Sequence, residues 1–409
     1  MRMKKLLLAT ALTISSFFTL TGCLEHVELN KLGIVSGIAI DKIDEGYLFT
    51  AQILNPSAIA GETQNALPVY TLQGEGSTIH EAYNRLSQLT SSALFLSHLD
   101  VIVIDEEFAK SGFSPLLNFA LRHAEVRPDI NIVVAKDVRA GDVLNVVTAL
   151  DMIPTAQLNV SNMVPSRTAR LTSHNLYELV DMVNTHAVNI VLNAITIHHE
   201  EEYLDEDIER KDGTNGQTES SGSTIDNILN IASPVQLRIE HLAVFQADKF
   251  VGFIDTYEAQ LYNMVMGHQK RYAITTKINE DYYLSARIRH TESKITTDLK
   301  NNEATITMNL SAIILENTYP IDLTNTQNLM AMSEYIKVQI EQDMNNFLEK
   351  VQTELKSDIF GIGGKAYYHE NDVWKEKEGY WPEIFPEIDI NFKLEVEMDS
   401  VGEIGNVTL

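Results

Sequence analysis

The chain has 409 residues, and its 57 Asp+Glu outweigh its 31 Lys+Arg to give a formal net charge of −26. A field of that sign repels the phosphate backbone, which excludes a nucleic-acid partner. A single cysteine, Cys23, excludes an intramolecular disulfide and a thiolate metal cluster, so stability must come from apolar packing.

Arg2, Lys4 and Lys5 precede an apolar run from Leu6 to Leu20, and Leu20-Thr21-Gly22 then leads into Cys23. A basic start, a short apolar middle and small residues before a cut describe a secretory signal. The run of fifteen residues falls short of the roughly 20 that a membrane span needs, which disfavours an uncleaved helix. Leu-Thr-Gly-Cys looks like a bacterial lipobox. Residues 1–22 are therefore expected to be a lipoprotein signal peptide. Cys23 is expected to be the lipidation site, with a diacylglyceryl group on its sulfur tethering an exported protein to a membrane. Two acyl chains suffice for stable anchoring, where one is marginal.

Past a short polar tether, Gly33 to Asp41 and Tyr47 to Leu54 read as a β-hairpin stopped by Asn55-Pro56. Residues 57–75 read as loop and a short strand. Thr78-Ile-His-Glu81 fits a capping box that opens a helix through Leu89. Leu99 to Ile104 is a strand. Ser114-Pro115 starts a helix whose apolar face is read as Leu117, Ala120 and Leu121. Asn131 to Ala135 is a strand, Asp142 to Leu150 a short helix, Asn175 to Asn184 a helix, and Asn193 to Ile197 a strand. This alternation argues for an α/β sheet domain over residues 23–198. Residues 199–225 are acidic and polar, nearly free of aliphatics, and read as a linker. Residues 226–409 read as a second domain. It opens with a hairpin, Leu242 to Phe245 and Phe250 to Ile254. Strands follow at Tyr282 to Ile288, Lys294 to Leu299 and Ala304 to Leu315. A long helix covers Thr324 to Leu355 and is broken by Gly361-Ile-Gly-Gly364. The chain ends in an alternating strand, Ile388 to Asp399.

Few residues point to chemistry. Gly361-Ile-Gly-Gly-Lys365 lacks the spacing of a phosphate loop and follows a helix, so helix termination by glycine is favoured. His198-His199 beside Glu200-Glu-Glu202 could collect a metal, but adjacent strand residues point to opposite faces. Arg122, Glu125 and Arg127 read either as a subunit-docking patch or, preferably, as helix C-capping plus an ion pair holding the next strand. Trp374, Tyr380, Trp381 and Phe385 read as a contact surface or, preferably, a satellite core. No G-x-S-x-G, H-E-x-x-H or EF-hand pattern is present. No catalytic residue, cofactor or metal site is assigned, and the chain is read as a non-enzyme.

Several segments together resemble one family, the Ger(x)C spore-germination lipoproteins. They are Leu32-Gly-Ile-Val-Ser-Gly-Ile-Ala-Ile-Asp41 after Cys23, Thr50 to Pro56, His98 to Ile104, Phe119 to Arg127, Leu242 to Phe245 with Lys249 to Gly252, Asp358-Ile-Phe-Gly361, Trp374-Lys375 and Trp381. Leu24-Glu25-His26 departs from the Trp-Asp type of start that the family often carries after the cysteine. The resemblance implies a multi-domain α/β (mixed α+β) protein, with mixed β-sheets flanked by helices and three subdomains in two sequence halves. It implies a non-catalytic subunit of a nutrient germinant receptor on the outer face of the spore inner membrane. Its partners would be an integral-membrane A subunit and a transporter-like B subunit. The competing reading is a lipid-anchored solute-binding protein feeding a transporter, with two lobes around a polar cleft.

Overall fold

The computed structural model describes residue 3 and residues 32–62, 67–146, 153–158, 170–172, 174–185, 188–199, 235–268 and 272–400. Two mixed sheets, each with helices against it, organise these residues.

The first sheet begins with a meander: β1 (Leu32–Ile43), β2 (Gly46–Leu54) and β3 (Val69–Gly76) pair antiparallel. β4 (Ala93–Phe95) runs parallel to the start of β1. Next to β1 lie three parallel neighbours, β5 (Val101–Asp105), β6 (Asn131–Ala135) and β7 (Val191–His199). β8 (Val235–Gln246) and β9 (Lys249–Ile254) then close the sheet antiparallel. The hairpin that opens the second half in sequence therefore finishes the sheet of the first half. Both faces of the central strands are buried, as a parallel sheet demands. Ile38, Ile40, Ile102 and Ile104 face one core, while Ala39, Val101 and Val103 face the other.

On one face of this sheet pack α1 (Ile79–Ser87), α2 (Glu106–Ser111), α3 (Ser114–Arg122) and α4 (Leu176–Thr185). Thr78 Oγ1 accepts from the Glu81 amide at 3.1 Å, as a capping box requires. The Glu81 carboxylate, however, takes the amide of Ser77 at 2.9 Å, one residue earlier than a reciprocal box would have it. The buried face of α3 is Leu116, Phe119 and Ala120, and Leu121 is 60% exposed. The expected face was therefore one residue out of phase. The helix expected from Asp142 to Leu150 is a single turn, Ala140–Val143, and residues 147–150 lie outside the described residues. That turn is held by the buried carboxylate of Asp41, which accepts from the Ala140 and Gly141 amides at 2.7 and 3.1 Å.

The second unit follows α5 (Thr256–Met266) and holds β10 (Tyr272–Lys277), β11 (Tyr283–Asp298), β12 (Glu303–Asn317) and β13 (Asp389–Ser400) in that spatial order. The two strands expected at 282–288 and 294–299 are one strand, β11. An irregularity between Ile288 and His290 shifts its phase. α6 (Thr326–Lys350) lays Met332, Ile336, Ile340 and Met344 on the sheet and ends in a π turn, Val351–Leu355. The stop is Lys356, at φ 49°, and not the glycines.

Candidate functional site

Two places gather the residues that stood out in the sequence. The first is a groove between the start of α1 and the end of α3. Aromatic side chains on both helices and on β2 build its floor. Phe49 packs against Tyr83 and Phe119 with ring centroids 5.8 and 5.7 Å apart. The His123 ring lies 5.1 Å from both Tyr83 and Phe119, and His80 sits 6.1 Å from His123. Burial holds the His123 imidazole below its usual pKa and raises that of the Tyr83 phenol. The groove encloses about 890 Å³. Its walls are largely apolar, with Tyr47, Ile79, Pro115 and Phe119 prominent, and Arg122 and Glu125 also line it.

The charged cluster at the end of α3 is thus split. Arg122 and Glu125 face the groove, while Arg127 pairs with Asp129 at 3.5 Å on an exposed surface. That pair lies two residues ahead of β6, where the ion pair holding the next strand was expected. Glu125 instead accepts from the Leu96 amide at 2.9 Å, which ties the segment after α3 to the turn after β4. His80, Tyr83 and His123 were missed in the sequence, although His80 and Tyr83 share a face of α1 by their i, i+3 spacing.

The second place is a polar clasp where the two units meet. Asp358 is 2% exposed. Its carboxylate accepts from the Ile362 amide at 2.9 Å, the Gly363 amide at 2.7 Å and Trp381 Nε1 at 3.1 Å. Burial pushes its pKa up to about 6 against the pull of those donors. The flanking residues reach across to the first sheet. Ser357 Oγ donates to the Phe245 carbonyl at 2.6 Å, Gln246 Nε2 donates to the Lys356 carbonyl at 2.9 Å, and the Asn189 amide donates to the Asp358 carbonyl at 3.1 Å. Gly361 adopts φ 71°, which favours glycine, and opens α7 (Ile362–His369). The glycine segment therefore starts a helix. Its free amides are taken by Asp358, which leaves no place for a phosphate. Trp374 and Trp381 are buried with ring centroids 5.0 Å apart, so the aromatic stretch is core. Tyr380 is exposed beside them.

The remaining sequence candidates stay apart from both places. Cys23 and Glu200 to Glu202 lie outside the described residues. His198 sits near the end of β7, opposite Gln236. Among the described residues no three His, Cys, Asp or Glu side chains converge on a metal position, and no helix is long and apolar enough to cross a membrane.

Comparison with known proteins then places the chain. Residues 25–197 match the spore germination protein N-terminal domain, and residues 240–402 match the spore germination B3/GerAC-like C-terminal domain. The chain belongs to the Ger(x)C family of spore germination proteins. Among its Ger(x)C relatives in Bacillus subtilis (strain 168), spore germination protein KC is 25% identical, covering 98% of this chain and 96% of that protein. Spore germination protein B3 is 22% identical over 94% and 96%. The crystal structure of the GerBC protein shares the Ger(x)C fold, with a TM-score of 0.55 at 16% identity, covering 89% of this chain and 97% of that one. The mixed α+β architecture expected from the sequence is the one found.

Proposed function

We propose that this chain is the membrane-anchored lipoprotein subunit of a nutrient germinant receptor, carried on the outer face of the spore inner membrane and non-catalytic. Integral-membrane A and B subunits would be its partners, and the diacylglyceryl group on Cys23 its tether. The observation that carries the reading is the end-to-end match to proteins named for spore germination, through both family domains in order. The chemistry of the described residues supports the non-catalytic part. The two carboxyls pushed up to about 6, Asp105 and Asp358, are each spent on amides at helix starts. The junction between the units is joined by the Asp358 clasp, where a two-lobed solute-binding protein would need an open polar cleft.

Fractionation of spores carrying Cys23→Ala tests the proposal. The native chain should sediment with the inner membrane and the variant should not, with germination in response to a nutrient lost or strongly slowed. Membrane-bound Cys23→Ala together with unimpaired germination would overturn it.

A further inference from the structure

The geometry points to the groove between α1 and α3 as a binding site for a small organic carboxylate with an apolar body. The argument starts from size. About 890 Å³ lies inside the range of small-molecule sites and exceeds what one buried side chain needs. The lining matches that class too: apolar and aromatic walls with a few polar groups. The aromatic floor of Phe119, His80 and His123 offers ring faces and edges for an apolar ligand body.

Charge then selects the polar end of the ligand. Arg122 and Glu125 are the charged residues in the lining. Glu125 is committed to the Leu96 amide. Glu125 keeps its negative charge, but Arg122 makes no ion pair among the described residues, so its guanidinium is the charged donor left to meet a ligand. Its guanidinium offers a planar fork that fits a carboxylate with two hydrogen bonds. The net charge of −26 does not cancel this preference, because exposed charges beyond about 8–10 Å are screened at physiological salt. A phosphate or nucleotide would call for more donors than one arginine. An amine would have to share Glu125 with the Leu96 amide.

The site belongs to the helical layer of the first sheet and stands whether or not the chain works in a receptor. It can therefore be tested on the purified full chain in detergent. Phenylbutyrate and its neutral isostere phenylbutyramide are titrated by calorimetry, with phenylalanine as a third probe. Phenylbutyrate should bind one saturable site, with the amide roughly tenfold or more weaker. Arg122→Gln should bring the carboxylate down to the affinity of the amide. Ala124→Trp, an exposed lining position, should fill the groove and remove binding of both while the circular dichroism spectrum and melting curve stay unchanged. The inference fails if phenylbutyrate shows no saturation by about 10 mM, a range in which even weak sites register. It also fails if acid and amide bind alike, if Ala124→Trp binds like the native chain, or if phenylalanine binds more tightly than phenylbutyrate and so recruits Glu125.

Discussion

Asp358 shows how one side chain can set local stability. Three donors converge on a carboxylate that has almost no access to water, and burial still outweighs them. Its pKa is about 6 in the folded chain against 3.8 for the free group. Between those values the native state holds more protons than the unfolded one, so this group adds stability as pH falls from 7 toward 4. The urea midpoint, followed by tryptophan fluorescence, should therefore be higher at pH 5 than at pH 7. Asp358→Asn should shrink that difference, with Asp105 keeping its share, and cost about 1–3 kcal/mol at pH 5, because one amide loses its acceptor. An unchanged pH slope in the variant would contradict the burial account. The sequence displayed this aspartate four residues ahead of Ile362, but its role depends on the previous helix being stopped by Lys356 and not by the glycines. Helix periodicity from Thr324 placed the end at Leu355, as found, but the break was credited to the glycines because Lys is an ordinary helix residue. The proposed tether at Cys23, by contrast, is read from adjacent residues alone and asks nothing of the fold.

Among elements, legibility followed the regularity of burial. From Asp389 to Met398, β13 alternates between half-buried or buried and exposed side chains, and its pattern was readable directly. β11 was not. Its buried positions are Leu284, Ala286 and Ile288, but after the irregularity the inward positions become Thr291, Ser293, Ile295 and Thr297. The phase slips by one residue, and the polar side chains near the slip imitate a turn. In α3 the sequence offers leucines at 116, 117 and 121, and the packing of Phe119 onto Phe49 decides which ones turn inward. Leu116→Ala should cost about 2–5 kcal/mol in chemical unfolding, while Leu121→Ser should stay within about 0.5 kcal/mol of the native chain. Equal costs would place the helix in the wrong phase.

Over the whole molecule, β8 is the strand that matters most. Ala243 and Phe245 point into the core beneath α1 to α4, whereas Leu242 and Val244 point into the core shared with the second sheet. One strand thus serves both of these cores with its alternate residues, and Leu237 near its start belongs to a third. Its pairing with β7, Val191 opposite Val244, crosses the acidic stretch that the sequence presents as a boundary. Composition marks where a chain is polar, and long-range strand pairing leaves no local trace. Heating or denaturant should therefore unfold the molecule in one step. Fluorescence of the two tryptophans, both in the second unit, should coincide with far-UV circular dichroism, which reports both sheets. Separate midpoints would show that β8 does not couple the units. The shared strand also constrains ancestry. A gene broken at the acidic stretch would give one product whose β7 edge lies bare and another whose β8 and β9 have no sheet to join. The two halves are therefore suited to be inherited together and not to be shuffled as separate modules.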